Sequence, residues 1–211
     1  MTANSRQFIL DRVRAATTAD ANRYQDIPRD YIGAGNLDPQ GRLHLMSERL
    51  QEYGAEVVES SPADLPQIIS HQLQLSGKHH FVVPQGLPAG WLGSGVTWSI
   101  DGNLSHEEIE QCGGVLTAAS AGVADSGTIV LHHGPMEGRR IISLLPDFHL
   151  CILRASQIVE TLPEYFALFP MPPRLATYIS GPSATADIEM TRIKGVHGPR
   201  FLSVIIVRDD G

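Results

Sequence analysis

The stretch AEVVESSPADLPQIISHQLQLSGKHHFVVP, residues 55–84, decides the fold class. It opens on a short strand pattern, AEVVES (55–60), and closes on another, HHFVVP (79–84). Between them PADLPQIISHQLQLSG (62–77) carries its apolar residues at helical spacing, with Pro62 suited to a first turn. Strand–helix–strand alternation with short apolar strands predicts an α/β domain with a largely parallel sheet.

Upstream, HLMSERLQEYG predicts a helix that ends at Gly54, a C-cap position. Before it, DIPRDYIGAGNLDPQG (26–41) is rich in Gly, Pro and Asp and predicts an irregular connector. Phe8, Ile9, Val13 and Ala16 recur near helical spacing, so an amphipathic helix is expected over 4–18, capped by Asn4 or Ser5. The expected organisation is an N-terminal helical arm and connector over 1–41 and an α/β domain over 42–211.

Downstream, Ser105 and Glu108 of SHEEIEQCG form a capping-box pattern. GVLTAASAGVADSGTIVLHHG (114–134) is β-rich, with a hairpin expected around ADSGTIVL. GRRIISLLP (138–146) predicts a short helix, HLCILR (149–154) a buried strand and SQIVETLPEYFALF (156–169) a helix. ATYISG (176–181) predicts a strand, TADIEMTRIKG (185–195) a helix ending at Gly195, and FLSVIIVRD (201–209) the last strand. The class is α/β, with a mostly parallel sheet flanked by helices.

The 211 residues suffice for one sizeable core. Sixteen Lys and Arg against 23 Asp and Glu give a net charge of -7, which disfavours a general nucleic-acid or anionic-membrane surface. The N-terminus has no secretory pattern, and no apolar run reaches the ~18 residues of a membrane span, so a cytoplasmic protein is expected. Cys112 and Cys151 are far apart and outside any CxxC, which fits reduced thiols. Two cysteines cannot supply the four thiolates of an ordinary iron–sulfur cluster, so no such cluster is expected within this chain.

The loop ISGPSATADIEM (179–190) is the strongest local candidate for binding. Ser180, Gly181, Ser183 and Thr185 offer hydroxyls and backbone N–H groups, and a following helix start would suit an anion. Asp187 and Glu189 would fall in the first turn of that helix and complement its dipole themselves. In VADSGTIVLHHG (123–134), Asp125 is a candidate acid/base or ligand-binding group, or a simple turn residue beside Ser126. Arg139 and Arg140 could hold an anionic substrate or a neighbouring subunit, or form a solvated surface pair. His197 lies in a Gly-flanked turn, where it could reach a site or make a structural hydrogen bond. The pairs His79-His80 and His132-His133 point to opposite faces of a strand, and no metal-ligand spacing occurs, so no metal is expected.

VADSGTIVL (123–131), GRRIISLLPDFHLCIL (138–153), ISGPSATADIEM (179–190) and GVHGPRFLSVIIV (195–207) together resemble the LUD-domain family, specifically its lactate utilisation protein C branch. Their order and spacing match over roughly residues 80–207. In the family the first turn is often AETGT, so Asp125 and Ser126 stand in place of Glu and Thr; a basic residue often stands where this chain has Ala184. The resemblance implies a fold like the sugar-phosphate isomerase/CoA-transferase group. It also implies a part in oxidising L-lactate to pyruvate alongside iron–sulfur-containing partner proteins, as a component without a cluster of its own. The candidate residues are Asp125 for catalysis and Ser126, Thr128, Arg139, Ser180, Gly181, Ser183, Thr185, Asp187 and His197 for ligand binding. Two other readings stand beside this resemblance. One is an independent enzyme acting on a phosphorylated sugar, an acyl-CoA or a folate-like substrate; the other is a regulatory ligand sensor.

Overall fold

The computed structural model describes residues 3–16, 26–28, 30, 32–171, 173–186, 192–194 and 198–209. The chain separates into two compact units, residues 1–32 and 33–211. The first unit contains helix α1 (Ala3–Ala16), close to the expected span.

The second unit is built on a six-stranded sheet in the order β1-β12-β7-β4-β2-β3. Its strands are β1 (Glu56–Ser60), β2 (His80–Pro84), β3 (Thr97–Asp101), β4 (Gly114–Ala118), β7 (Phe148–Arg154) and β12 (Phe201–Val207), and every pairing among them is parallel. The opening stretch gives the expected elements, β1, helix α3 (Leu65–Leu75) and β2, although β12, β7 and β4 stand between the two strands in the sheet. Pro66, rather than Pro62, occupies the first turn of α3. Strand β3 had no clear sequence pattern and is an addition.

Helix α2 runs from Pro39 to Glu52. The Asp38 carboxylate accepts the Gly41 N–H at 2.7 Å and Pro39 sits where its missing N–H costs nothing, so the helix starts inside the expected connector. Helix α4 (His106–Glu110) carries the Ser105/Glu108 capping box.

Both faces of the sheet are covered, which explains why β7 and β12 read as continuous apolar runs rather than alternating ones. Leu150, Ile152, Ile205 and Val207 meet α3 and Trp91 on one face. Leu153, Val204 and Ile206 meet Leu43, Met46 and Leu50 of α2 and Ile129 and Leu131 on the other. The last two belong to a second sheet, ordered β8-β5-β6-β9. It comprises β5 (Ala121–Val123), β6 (Thr128–Leu131), β8 (Ile158–Val159) and β9 (Thr177–Ile179). The β5–β6 hairpin matches the expected turn at ADSGT.

Two expected helices are corrected. Residues 156–169 give a 3-10 turn and β8 before helix α5 (Leu162–Leu168), because Thr161 and Glu164 form a capping box that starts the helix late. The helix expected over 185–195 is instead an antiparallel pair, β10 (Ala184–Ala186) and β11 (Arg192–Lys194). From Ala184 to Thr191 apolar and polar residues alternate strictly, the period of a strand.

Candidate functional site

The ADSGT turn and the SGPS loop meet. Thr128, at the start of β6, is buried. Its hydroxyl shares a 2.8 Å hydrogen bond with Ser126 Oγ and another with Ser180 Oγ, so the three hydroxyls form one chain. Two glycines allow this approach. Gly127 has φ 56° and a Cβ there would stand 2.7 Å from Arg49 Cβ. Gly181 has φ 94° and its Cβ would stand 2.5 Å from Tyr53 Cβ. Helix α2 is thus the anvil against which both turns are pressed.

Around this junction lie two hollows. One, of about 330 Å³, is lined by Ser180, Gly181 and Ser183 together with Arg140, Ser143 and Gly198. The other, of about 340 Å³, is shallow and lined by Asp125 and Ser126 with Arg49, Glu52 and Tyr53. The first combines hydroxyls, a positive-φ glycine and one arginine, a set suited to a small oxyanion.

Arg139 faces elsewhere. Its Nε and Nη2 hold the buried Asp101 carboxylate at 2.9 and 2.5 Å, and Nη2 also donates to the Leu104 carbonyl at 2.8 Å. The hydrogen bonds to Asp101 raise the Arg139 pKa further. Of the arginine pair, Arg140 is the one at the SGPS hollow. Thr185 lies in β10, opposite Ile193. Asp187 and His197 lie outside the described residues. Among the described residues, Ala184–Ala186 and Arg192–Lys194 are strand rather than the expected helix, so these residues offer no helix dipole to an anion.

The SGPS hollow also sits at an unexpected end of the main sheet. Its one lining residue from that sheet is Leu202, the second residue of β12, so it opens by the amino end of that strand. The loop follows β9, which belongs to the second sheet and runs antiparallel to β6.

A separate cavity occupies the carboxyl ends, where open α/β sheets hold ligands. It measures about 360 Å³ and is lined by Trp91, Ala118–Ser120, Gly134–Glu137, Ile152, Arg154, Gln157 and Phe169. Sequence reasoning missed it. Glu137 sits in PMEG, a sequence like any surface turn, yet it is only 5% exposed. Its partner Ser120 is 17 positions away and no local pattern links them. Nearby, His133 has φ 59°, the only non-glycine with positive φ among the described residues. Its Nδ1–H donates to the Gly138 carbonyl at 3.0 Å, which leaves Nε2 to accept from Thr177 Oγ1 at 2.8 Å. His132 Nε2 pairs with the buried Tyr165 hydroxyl at 2.8 Å, and burial raises that phenol's pKa.

Among the described residues no group of three or more His, Cys, Asp or Glu side chains is placed to hold a metal, and no helix is long and apolar enough to cross a membrane.

A parallel sheet covered on both faces, with a second sheet folded over one of them, defines an open α/β protein. The chain matches the LUD domain family model over residues 14–207, and it belongs to that family. It is 42% identical over 169 residues to "Lactate utilization protein C" of Deinococcus radiodurans, covering 78% of this chain and 79% of that protein. It is 34% identical over 134 residues to the protein of the same name in Bacillus subtilis, covering 58% of this chain and 55% of that one. With this and several other relatives, the match spans about half their length. A crystal structure of a DUF162 family protein from Deinococcus radiodurans superposes with a TM-score of 0.71 at 35% identity, covering 82% of this chain and 99% of that one.

Proposed function

We propose that the chain is a component of L-lactate utilisation, the oxidation of L-lactate to pyruvate, that acts in the cytoplasm with iron–sulfur partner proteins. The observation that carries this reading is the 42% identity to the Deinococcus radiodurans lactate utilization protein C, with most of both chains covered. Cysteine chemistry agrees with a division of labour. Cys112 and Cys151 are both buried, and burial pushes the Cys151 thiol up to about 12. Neither is poised as a thiolate ligand, so in this reading the electron-carrying cluster belongs to a partner.

In the same reading the SGPS hollow receives the small anion. A carboxylate entering it meets the Arg140 guanidinium and the Ser180 and Ser183 hydroxyls. Asp125 lines the other, shallow hollow, on the same turn as Ser126, which links to Ser180 through Thr128. Its candidate role is proton acceptor, by way of the Ser126–Thr128–Ser180 hydroxyl chain.

The test is L-lactate consumption by cells that lack this protein and receive either the wild type or a variant. The wild type restores consumption and co-purifies with proteins showing iron–sulfur absorbance. Arg140→Met and Asp125→Asn, checked for native melting, reduce consumption at least about tenfold if each loses one charged contact. Unchanged lactate consumption without the protein, and no iron–sulfur partner in the purified material, would overturn the reading.

A further inference from the structure

The carboxyl-end cavity offers a second site, independent of the SGPS hollow. Its position follows from topology. β3 lies on one side of β2 and β4 on the other, so the strand order reverses there. The segment after β2 brings Trp91 to one face, while the chain after β4 turns into β5. Between them the 134–137 turn is pinned at both sides: Gly86 N–H donates to the Pro135 carbonyl at 2.9 Å, and Ala118 N–H to the Met136 carbonyl at 3.0 Å. A Cβ on Gly86 would stand 2.6 Å from that Pro135 carbonyl, so the seat is built for close backbone approach.

The turn delivers Glu137. Ser120 Oγ donates to its Oε1 at 2.5 Å and Gly134 N–H donates to its Oε2 at 3.3 Å. Among the described residues no ion pair reaches it. A carboxylate has about four acceptor positions, and two are used. A buried carboxylate with spare acceptor capacity and no ion pair among the described residues favours a ligand that brings a donor. The walls are apolar, from Trp91, Met136, Ile152 and Phe169. Phe169 is held edge-on to His132, with ring centroids 4.6 Å apart at 89°. Arg154, an exposed residue at the end of β7 outside any ion pair described above, supplies a cation at the cavity.

We infer that this cavity binds an organic acid with an apolar body and a hydroxyl or N–H donor. The donor meets Glu137, the body lies against Trp91 and Phe169, and the acid group meets Arg154. A volume of about 360 Å³ lies in the range of small-molecule sites and exceeds what a three-carbon acid fills.

Trp91 is a built-in reporter, since the chain has two tryptophans and Trp98→Phe leaves it alone. In that background L-3-phenyllactate quenches Trp91 fluorescence saturably. 3-Phenylpropionate lacks the hydroxyl and 2-phenylethanol lacks the acid; each binds about tenfold or more weakly, the size of one hydrogen bond to a charged group. Glu137→Gln removes the preference for phenyllactate over phenylpropionate, and Arg154→Met, at an exposed position, removes the preference for acids over the alcohol. No saturable quenching by phenyllactate, equal binding of all three compounds, or preferences unaltered in Arg154→Met would each overturn the inference.

Discussion

Gly181 shows how much one residue can fix. At φ 94° any L side chain is strained, and the nearest atom to an added Cβ is Tyr53 Cβ, which cannot swing away. Gly181→Ala should therefore destabilise by about 2–3 kcal/mol, read as a lower urea midpoint at an unchanged slope. His149 carries a pH dependence. It is 1% exposed in β7, with Nε2 bonded to Thr117 Oγ1 at 2.8 Å, and burial lowers its pKa from 6.5 to about 4. The unfolded chain takes up this proton below about pH 6.5 while the native chain resists until about 4. Stability is thus complete above 6.5 and lost as pH falls across that window, by roughly 3 kcal/mol at most. His149→Gln should flatten the 4–6.5 segment of the stability curve; a curve unchanged by the substitution would show that another group governs it. Single residues were partly legible in the sequence. Ser126, Thr128 and Ser180 belong to motifs and proved to share one hydrogen-bonded chain. Glu137 was not legible, because its burial depends on Ser120 and on where β2 and β4 end.

Among elements, caps were the most readable feature and helical extent the least. The Ser105/Glu108 box stands as expected, because both halves lie within four residues. Thr161 and Glu164 form an equivalent box that the longer apolar pattern of 156–169 obscured. Thr161 also donates to the Gly33 carbonyl at 3.2 Å. Thr161→Ala should lower stability by about 1–2 kcal/mol, whereas Thr161→Ser should retain most of it; equal loss in both would point to packing of the methyl group instead. The β10–β11 pair teaches the opposite lesson. Its segment opens with Ser and Thr and carries acidic residues early, as a helix start does, but the strict two-residue alternation was the stronger signal.

For the whole molecule, class and sheet character were legible because βαβ connections leave a strong pattern in β1, α3 and β2. Which cavity lies at which end of the sheet was not, since that depends on a second sheet folded back over the first. The unit boundary is testable by truncation. We expect residues 33–211 to melt close to the full chain, because Gly35 N–H donates to Glu164 at 2.9 Å and Leu37 N–H to Glu160 at 2.6 Å within that unit. A chain beginning at 42 loses both bonds and the Asp38 cap, and should melt roughly 5–10 °C lower. Equal melting of the two truncations would place the boundary at 41/42 instead.

The strand order has a consequence for the newborn chain. β1 pairs only with β12, Glu56 opposite Ser203, and β12 is also the strand that joins β1 to β7. While the ribosome is still making the middle of the protein, α2 and β1 have emerged without their sheet partner. Contacts this distant in sequence form slowly, and an unpaired apolar edge invites aggregation in the interval. The last seven-residue strand therefore works as a closing bolt: a message truncated shortly before Phe201 yields a chain whose first and middle segments have no common sheet.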